Sequence, residues 1–261
     1  MQSYIGATGF TEAAQVTHAL QAVPHGSTRK FMVGVLASAK SLRGMPLKPE
    51  WQGRYPKREE IAGIFPDDPR TLNLVHYAPG DEYRESMLHD LLALRDEVGP
   101  RLHGFQLNVA WPRETMLGVY REDRGQHRHM IVLQIGREAI SLMDDGATAA
   151  ARRVAGYGAL IDAVLIDPSA GKGQPFDPGA AWNLLSAITE RCPRLGVGVA
   201  GGLGSGRLAD AVQLARDFPY LSIDAEGRLR CADGALDEWA VKHYLMQAYE
   251  TLGRIPYALP A

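Results

Sequence analysis

The sequence predicts an α/β fold in which eight parallel strands close into one (β/α)8 barrel. Segments typical of strands alternate with segments typical of helices eight times, and no pattern typical of a β-hairpin interrupts them. Such alternation requires parallel strands that are connected by helices. The run at 31–36, Phe-Met-Val-Gly-Val-Leu, is continuously apolar, as expected for a strand that is covered on both faces. Eight units within 261 residues favour a closed barrel over an open doubly wound sheet.

Each element is predicted from its own pattern. The strands are short apolar runs, and the helices place apolar residues at intervals of three and four. Thr11 is a candidate cap for the first helix, which the segment Pro24-His25-Gly26 ends. The predicted strands cover residues 4–9, 31–36, 72–77, 104–108, 130–134, 163–167, 195–200 and 221–224. The predicted helices cover residues 12–23, 81–98, 147–155, 179–191, 207–215 and 236–252, with a weaker helix after Pro112.

Residues 45–70 form the longest irregular connection of a chain that is otherwise predicted to be one domain over residues 1–261. The segment is rich in proline, contains Trp51 and Tyr55, and has one modest helical pattern at 57–64. Long loops in compact domains are often lids or binding loops, and a disordered insertion is the alternative. We expect this segment to cover the C-terminal mouth of the barrel. Its deletion is therefore expected to weaken ligand binding and to leave the melting temperature nearly unchanged.

Composition and charge argue against several classes of function. The chain is 46% hydrophobic and 22% charged with a net charge of −2, which argues against nucleic acid or a membrane as partner. No signal peptide and no apolar run of about 20 residues is evident, so a cytoplasmic location is expected. Cys192 and Cys231 are predicted to be free thiols. His127 and His129 lie beside two arginines before the fifth strand, where we expect a solvated basic cluster and no metal site.

A glycine-rich turn follows the seventh predicted strand, in the segment 195–206. A unit of strand, glycine turn and helix leaves backbone N–H groups free to bind a phosphate or another anion. We therefore predict that Gly201, Gly202 and Gly204 contact the substrate, the alternative being a tight turn without a ligand. The spacing does not match a dinucleotide-binding motif, and Gly171-Lys172-Gly173 lacks the Ser or Thr of a P-loop. No cofactor is predicted.

In barrels of this kind the catalytic groups lie at the C-terminal ends of the strands. Asp167 ends the apolar sixth strand and precedes a glycine-rich segment, a position suited to general acid or base chemistry. His76 and Asp224, at the ends of the third and eighth strands, are its candidate partners. Other polar residues near strand ends are predicted to contact the substrate: Lys40, Arg43, Asn108, Gln134, Lys172 and Glu226. For each of them the alternative is an ion pair at the rim.

The order of these motifs resembles that of the phosphoribosylanthranilate isomerases over nearly the whole chain. The family's first strand has the form Lys-Ile-Cys-Gly-Ile-Thr, which the segment 4–11 resembles in part. Its Lys-Ser-x-Arg segment is matched at 40–43, and its Gln-Leu-His-Gly is matched in part at 106–109. Its Leu-Leu-Asp, glycine-rich segment and Phe-Asp resemble 165–177, and its Gly-Gly-Leu is matched at 201–203.

The resemblance implies a TIM barrel that binds a phosphorylated sugar through backbone amides of its last loops. It also implies that Arg43 grips a substrate carboxylate and that Asp167 is the general acid. Two departures stand out. The family's catalytic cysteine has no counterpart, since Gly6 and Ala7 are the residues at that point. Glu226 lies where the family has Ser-Ser-Gly, and a carboxylate there is expected to repel a phosphate.

We therefore expect a divergent enzyme, an isomerase or lyase that uses acid–base chemistry on a small anionic, for example phosphosugar-like, metabolite. Orthodox phosphoribosylanthranilate isomerase activity is not expected, because the thiol is missing. The carboxylates after the eighth strand favour ligands with less negative charge or with a cationic group. The alternative is a non-catalytic barrel that binds a metabolite or a partner protein. A homodimer is compatible with the sequence, which does not decide the oligomeric state.

Overall fold

The computed structural model describes residues 2–123, 128–143, 146–167 and 177–253. Eight parallel strands follow one another around a closed barrel, which confirms the predicted fold class. The strands are β1 (Tyr4–Thr8), β2 (Lys30–Ser38), β3 (Thr71–Ala78), β4 (Gly104–Leu107), β5 (Met130–Gly136), β6 (Ala163–Asp167), β7 (Gly196–Ala200) and β8 (Ser222–Ala225). The barrel closes where β1 pairs with β8, with Gly6 opposite Asp224. This pairing decides the geometry of the candidate site.

Helices cover the outside of the barrel, as the alternation predicts. They are α1 (Ala13–Leu20), α2 (Ala39–Leu42), α3 (Ile61–Ile64), α4 (Met87–Val98), α5 (Glu114–Glu122), α6 (Arg137–Ser141), α7 (Gly146–Tyr157), α8 (Pro178–Arg191), α9 (Ala209–Asp217) and α10 (Glu238–Leu252). The single helix predicted at 81–98 is a 3-10 segment at Asp81–Ser86 followed by α4. The helix after the glycine turn begins at Ala209, two residues later than predicted. None of the helices in these ranges is long and apolar enough to cross a membrane.

Side chains alternate between the inside and the outside of the barrel along each strand. One set fills the interior, and it is separate from the larger core between strands and helices. The interior set consists of Tyr4, Met32, Leu74, Val132, Ala163, Leu165 and Ala200. On β1 this places Tyr4 inside and its neighbours Ile5 and Ala7 outside, in contact with the helical layer. The polar side chains of the site continue the inner rows toward the C-terminal ends of the strands.

The connection at 45–70 has two parts that play different roles. Its second half contains α3, and Ile61, Ile64 and Phe65 are buried in the main core. The expectation that deleting the whole segment leaves the melting temperature unchanged is therefore wrong, because the deletion would remove core side chains. Its first half contains a 3-10 segment, Pro49–Arg54, which reaches the connection after β8: Nη1 of Arg54 lies 3.7 Å from Oε1 of Glu226. We call residues 46–56 the strap.

The histidine before β5 differs from its prediction. His129 was expected in a solvated basic cluster, but it is buried against Phe105 and Tyr120, and its Nδ1 lies 3.1 Å from the Tyr120 hydroxyl. His127 lies outside the described residues. Aromatic neighbours from β4 and α5 cover the imidazole, which gives His129 a structural role at the N-terminal end of the barrel.

Candidate active site

Five polar strand side chains line one cavity inside the barrel, at the C-terminal ends of the strands. They come from β3, β4, β5, β6 and β8, and none is more than 6% exposed: His76, Gln106, Gln134, Asp167 and Asp224. Together with Ala200, Gly201, Gly202, Glu226 and Gly227 they line a cavity of about 30 Å³. Three of the five were predicted to be acid–base groups and Gln134 to contact the substrate. Gln106 was not predicted, although it holds an inward position two residues before the predicted Asn108.

Two glutamines connect the acids and the histidine. Nε2 of Gln106 lies 3.0 Å from Nδ1 of His76, 3.2 Å from Oε1 of Gln134 and 3.3 Å from Oδ2 of Asp224. Gln134 in turn donates from Nε2 to Oδ2 of Asp167 over 2.9 Å. Because every member is buried, these hydrogen bonds take the place of solvation. The network holds the two carboxyl groups, which come from strands far apart in the chain, at fixed positions around one cavity.

The carboxyl group of Asp224 has a strongly raised pKa. Burial raises its pKa to about 7, and the negative charges of Glu226 and Asp167 act in the same direction. Hydrogen bonds from Thr8 and Gln106 oppose this shift. The Thr8 hydroxyl lies 3.0 Å from each carboxylate oxygen. A carboxyl group with this pKa exchanges its proton near neutral pH, as a general acid or base must.

Burial shifts the pKa of His76 downward, whereas it shifts the pKa of Asp224 upward. Burial lowers the pKa of its imidazole, and the charge of Arg230 contributes to the lowering, whereas Glu226 and Asp167 oppose it. The ring is therefore neutral at physiological pH, with Nδ1 hydrogen-bonded to the Gln106 amide. If Nδ1 accepts from that amide, Nε2 carries the ring proton.

The space beside Gly6 on β1 is filled by side chains of the neighbouring strands. Gly6 faces the barrel interior, and a Cβ built on it would lie 2.8 Å from Oδ1 of Asp224 and 2.6 Å from Cε of Met32. The Asp224 carboxylate thus occupies the space that a side chain at position 6 would need. Ala7 packs outside the barrel in the main core, so it is not equivalent to a group that acts within the cavity.

Glu226, at the rim, is compensated by two arginines. Its Oε1 lies 3.1 Å from Nη2 of Arg230 and 3.7 Å from Nη1 of Arg54 on the strap. The Arg54 guanidinium also stacks on the Trp51 ring, 4.4 Å from its centroid. The expectation that Glu226 repels an anion treated its charge as isolated, whereas the structure surrounds that charge with two positive charges. Sequence reasoning missed both arginines, because their positions relative to Glu226 follow from the tertiary fold.

The glycine turn after β7 borders the cavity. Gly201 and Gly202 adopt positive φ angles of 98° and 66°, which glycine tolerates and other residues rarely adopt. Gly204 is buried against the side chain of Arg228, which would lie 3.0 Å from an added Cβ. The N–H of Gly206 already donates to Oε1 of Gln247 over 2.8 Å. Anion binding at this turn stays a prediction for the first three glycines.

The remaining predicted contacts lie away from the cavity or outside the described residues. Arg43 donates from both terminal nitrogens to the buried carboxylate of Asp90, at 3.0 and 2.9 Å. Lys40 is half-buried, 3.6 Å from a carboxylate oxygen of Glu82, and Asn108 is exposed beyond β4. Lys172 lies outside the described residues. The structure therefore does not bring Arg43, Lys40 or Asn108 to the cavity.

Comparison with known proteins supports the fold. No protein-family model and no curated protein matches this sequence. Among solved structures, the chain is similar to phosphoribosylanthranilate isomerase from Thermotoga maritima, with 17% identity over 95% of this chain and 99% of that one and a TM-score of 0.63. The resemblance predicted from the sequence is confirmed for the fold. At this identity the match carries no information on substrate or activity.

Two other enzymes have comparable barrels. The catalytic domain of a hyperthermophilic chitinase from Pyrococcus furiosus is 13% identical, with 98% of this chain and 97% of that one covered and a TM-score of 0.58. Tryptophan synthase subunit alpha from Legionella pneumophila is 9% identical, with 97% and 94% covered and a TM-score of 0.60. One barrel fold therefore serves enzymes with different activities, and the residues of the site decide the function.

Within the described ranges, no group of three His, Cys, Asp or Glu side chains is arranged to hold a metal ion. The cavity brings together the carboxyl groups of Asp167 and Asp224.

Proposed function

We propose that the protein is an enzyme that moves a proton within a small anionic substrate, as an isomerase or a lyase. Asp224 is the general base and Asp167 is the general acid. The observation that carries the proposal is the pair of buried carboxyl groups around one cavity, linked through Gln106 and Gln134. Isomerisation of a sugar or elimination from it needs a group that takes a proton and another that gives one.

The environment of Asp224 fits the role of a base. Its pKa of about 7 makes it a far stronger base than an exposed carboxylate, and it is still half ionised at neutral pH. It also occupies the space beside β1 in which the resembling family would carry its thiol. A proton acceptor is therefore available at this point of the barrel, although the first strand itself supplies none.

The rim supports binding of an anionic group. The turn at Gly201 and Gly202 borders the cavity, and the loops after the seventh and eighth strands are where such barrels commonly bind phosphate. The cluster of Arg54, Arg230 and Glu226 has a net positive charge. A phosphosugar-like substrate would place its anionic group at this rim and its reacting carbons over the carboxyl groups.

Deuterium exchange tests the proposal even when the product is unidentified. The protein is incubated in D2O with a panel of sugar phosphates, and loss of carbon-bound hydrogen is followed by NMR and mass spectrometry. We expect exchange with at least one compound. Asp224→Asn and Asp167→Asn should each reduce its rate at least about 100-fold, because each removes a group that transfers a proton.

Glu190→Gln is the matched control, since it also replaces a carboxylate by an amide but lies exposed near the end of α8, at the opposite end of the barrel. Its exchange rate should equal that of the unmodified protein. A barrel that binds compounds of the panel but exchanges no hydrogen from any of them would instead support the non-catalytic alternative.

A further inference from the structure

The floor of the cavity is rich in hydrogen-bond acceptors. Nε2 of Gln106 donates to Oε1 of Gln134 and to Oδ2 of Asp224, and it lies beside Nδ1 of His76, whose role depends on the tautomer of the ring. Oε1 of Gln106 then points away from them. Among the described residues no donor reaches this oxygen, although the side chain is only 1% exposed. A buried carbonyl oxygen without a donor is costly, and a ligand that brings one would remove that cost.

Asp224 has hydrogen-bond partners but no counter-charge. In the described part of the chain its carboxylate bonds to a hydroxyl, of Thr8, and to an amide, of Gln106, both of them neutral. The nearest acidic groups, Asp167 and Glu226, raise its pKa further. The guanidinium of Arg230 is engaged by Glu226 and by the carbonyl oxygen of Gly234, at 3.1 and 3.0 Å. A positive charge that enters the cavity would therefore meet an uncompensated carboxylate.

The size and the charge of the cavity argue against a ligand that carries a carboxylate on an aromatic ring. The cavity of about 30 Å³ is too small for a planar aromatic ring. A carboxylate in it would lie beside the carboxyl groups of Asp167 and Asp224, whose negative charge opposes its entry. Arg43, the residue implied to grip a substrate carboxylate, is occupied by Asp90. An aryl carboxylate such as anthranilate therefore has neither the space nor the partner that it needs.

We propose, building on the function proposed above, that this cavity binds the ammonium group of an amine-bearing phosphorylated metabolite such as an amino sugar phosphate. The ammonium group donates to the Asp224 carboxylate and to Oε1 of Gln106, while the phosphate lies at the rim beside Gly201 and Gly202. A hydroxyl in place of the ammonium would satisfy the same acceptors but would bring no charge. Charge-assisted hydrogen bonds are roughly twice as strong as neutral ones, so the site distinguishes amine from alcohol.

Binding of an ammonium group should change the protonation state of Asp224. Four titratable groups from different elements act on Asp224: Asp167 on β6, Glu226 after β8, Tyr4 on β1 and Tyr244 on α10. His76 on β3 lines the same cavity. At pH 6 Asp224 is mostly protonated, since its pKa is about 7. An arriving ammonium group favours the ionised form, so at pH 6 the amine should release nearly one proton per site more than the matched alcohol, and this difference should fall as the pH rises through 7.

Isothermal titration calorimetry with matched probe pairs tests the proposal. The pairs are D-glucosamine 6-phosphate with D-glucose 6-phosphate, 2-aminoethyl phosphate with 2-hydroxyethyl phosphate, and 3-aminopropyl phosphate with 3-hydroxypropyl phosphate. We expect the amine to bind at least about tenfold more tightly than the alcohol in at least one pair at pH 7. Titrations at pH 6 in buffers of different ionisation enthalpy give the number of protons released.

Two variants locate the effect. Asp224→Asn should abolish both the preference for the amine and the release of the proton, whereas the Glu190→Gln control should retain both. Gln106→Met removes the unpartnered oxygen and keeps Asp224, so it should weaken binding of the amine more than binding of the alcohol. This second variant also covers the case in which Asp224→Asn does not fold.

The proposal is wrong if no pair shows a preference for the amine, including the case in which no probe binds in the millimolar range, or if the preference survives in Asp224→Asn. This failure is distinct from failure of the proposed function. If sugar phosphates without an amine still exchange hydrogen in a manner that depends on Asp167 and Asp224, the acid–base function stands and the ammonium site does not.

Discussion

At the scale of single residues, Asp224 couples the stability of the barrel to pH. Its pKa is about 7 in the folded protein, against 3.8 for a free carboxyl group. The folded state therefore binds this proton more tightly than the unfolded state does. The protonated carboxyl group contributes to the free energy of unfolding, and this contribution is fully present below pH 4 and is lost as pH rises through about 7. The carboxylate that suits proton transfer is thus a group that destabilises the fold once it is ionised.

We expect Asp224→Asn to change the pH dependence of unfolding, because asparagine does not ionise. Relative to the variant, the unmodified protein should lose about 2 to 3 kcal/mol of unfolding free energy between pH 5 and pH 8. Urea denaturation at the two pH values measures this difference. Glu190→Gln is the control and should follow the unmodified protein, and parallel pH profiles for Asp224→Asn would contradict the prediction.

Gly6 gives a second prediction at this scale. An added methyl group would lie 2.6 Å from Cε of Met32 and 2.8 Å from Oδ1 of Asp224, so one of them must move. Gly6→Ala should destabilise the protein by about 1 to 3 kcal/mol and should also displace the proposed base. Gly118→Ala is the matched control, since its added Cβ would meet nothing within 4 Å and it lies inside α5. Thermal melting and the deuterium-exchange assay check the pair, and equal stability of the two variants would refute the steric argument.

At the scale of elements, the strap is a separable part of the connection after β2. Residues 61–65 belong to the core, whereas Pro49–Arg54 contacts the connection after β8 mainly through Arg54 and its partner Glu226. Ion pairs in partly exposed positions contribute about 0 to 1 kcal/mol to stability. We expect this contact to open more easily than the packing of residues 61–65, as the lid hypothesis requires.

Arg54→Ala should loosen the strap and leave the barrel intact. We expect faster hydrogen–deuterium exchange at residues 46–56, weaker binding of the probes described above, and a melting temperature lowered by no more than a few degrees. Arg191→Ala, at the exposed end of α8, is the control for removal of an arginine. Unchanged exchange in the strap together with unchanged binding would show that residues 46–56 do not act as a lid.

At the scale of the whole molecule, a shared barrel does not imply a shared activity. The similarity to the Thermotoga maritima isomerase is 17% in sequence and extends over the full barrel. We expect this chain not to restore growth of a tryptophan auxotroph that lacks phosphoribosylanthranilate isomerase. The thiol is absent from the first strand, and Arg43 is held by Asp90.

Ala7→Cys with Glu226→Ser is expected to fail in the same assay, because Ala7 faces the helical layer and a thiol there would not reach the cavity. The gene of an authentic isomerase serves as the positive control for growth. Growth supported by this chain at the rate of that control would show that Asp224 or His76 had replaced the thiol for the same substrate.

The sequence by itself determined the barrel, because alternation of strands and helices can be read from short segments; β6 was predicted with the bounds that the structure shows, Ala163–Asp167. Local patterns did not decide which strand-end residues face inward, since Asp167 lines the cavity and Asn108 is exposed beyond β4. Contacts between residues far apart in the chain were decided only by the tertiary structure. Arg43 pairs with Asp90, 47 residues away, and Arg54 lies beside Glu226. Gln106 on β4 contacts side chains of β3, β5 and β8. The tertiary fold sets these distances, and no local pattern encodes them.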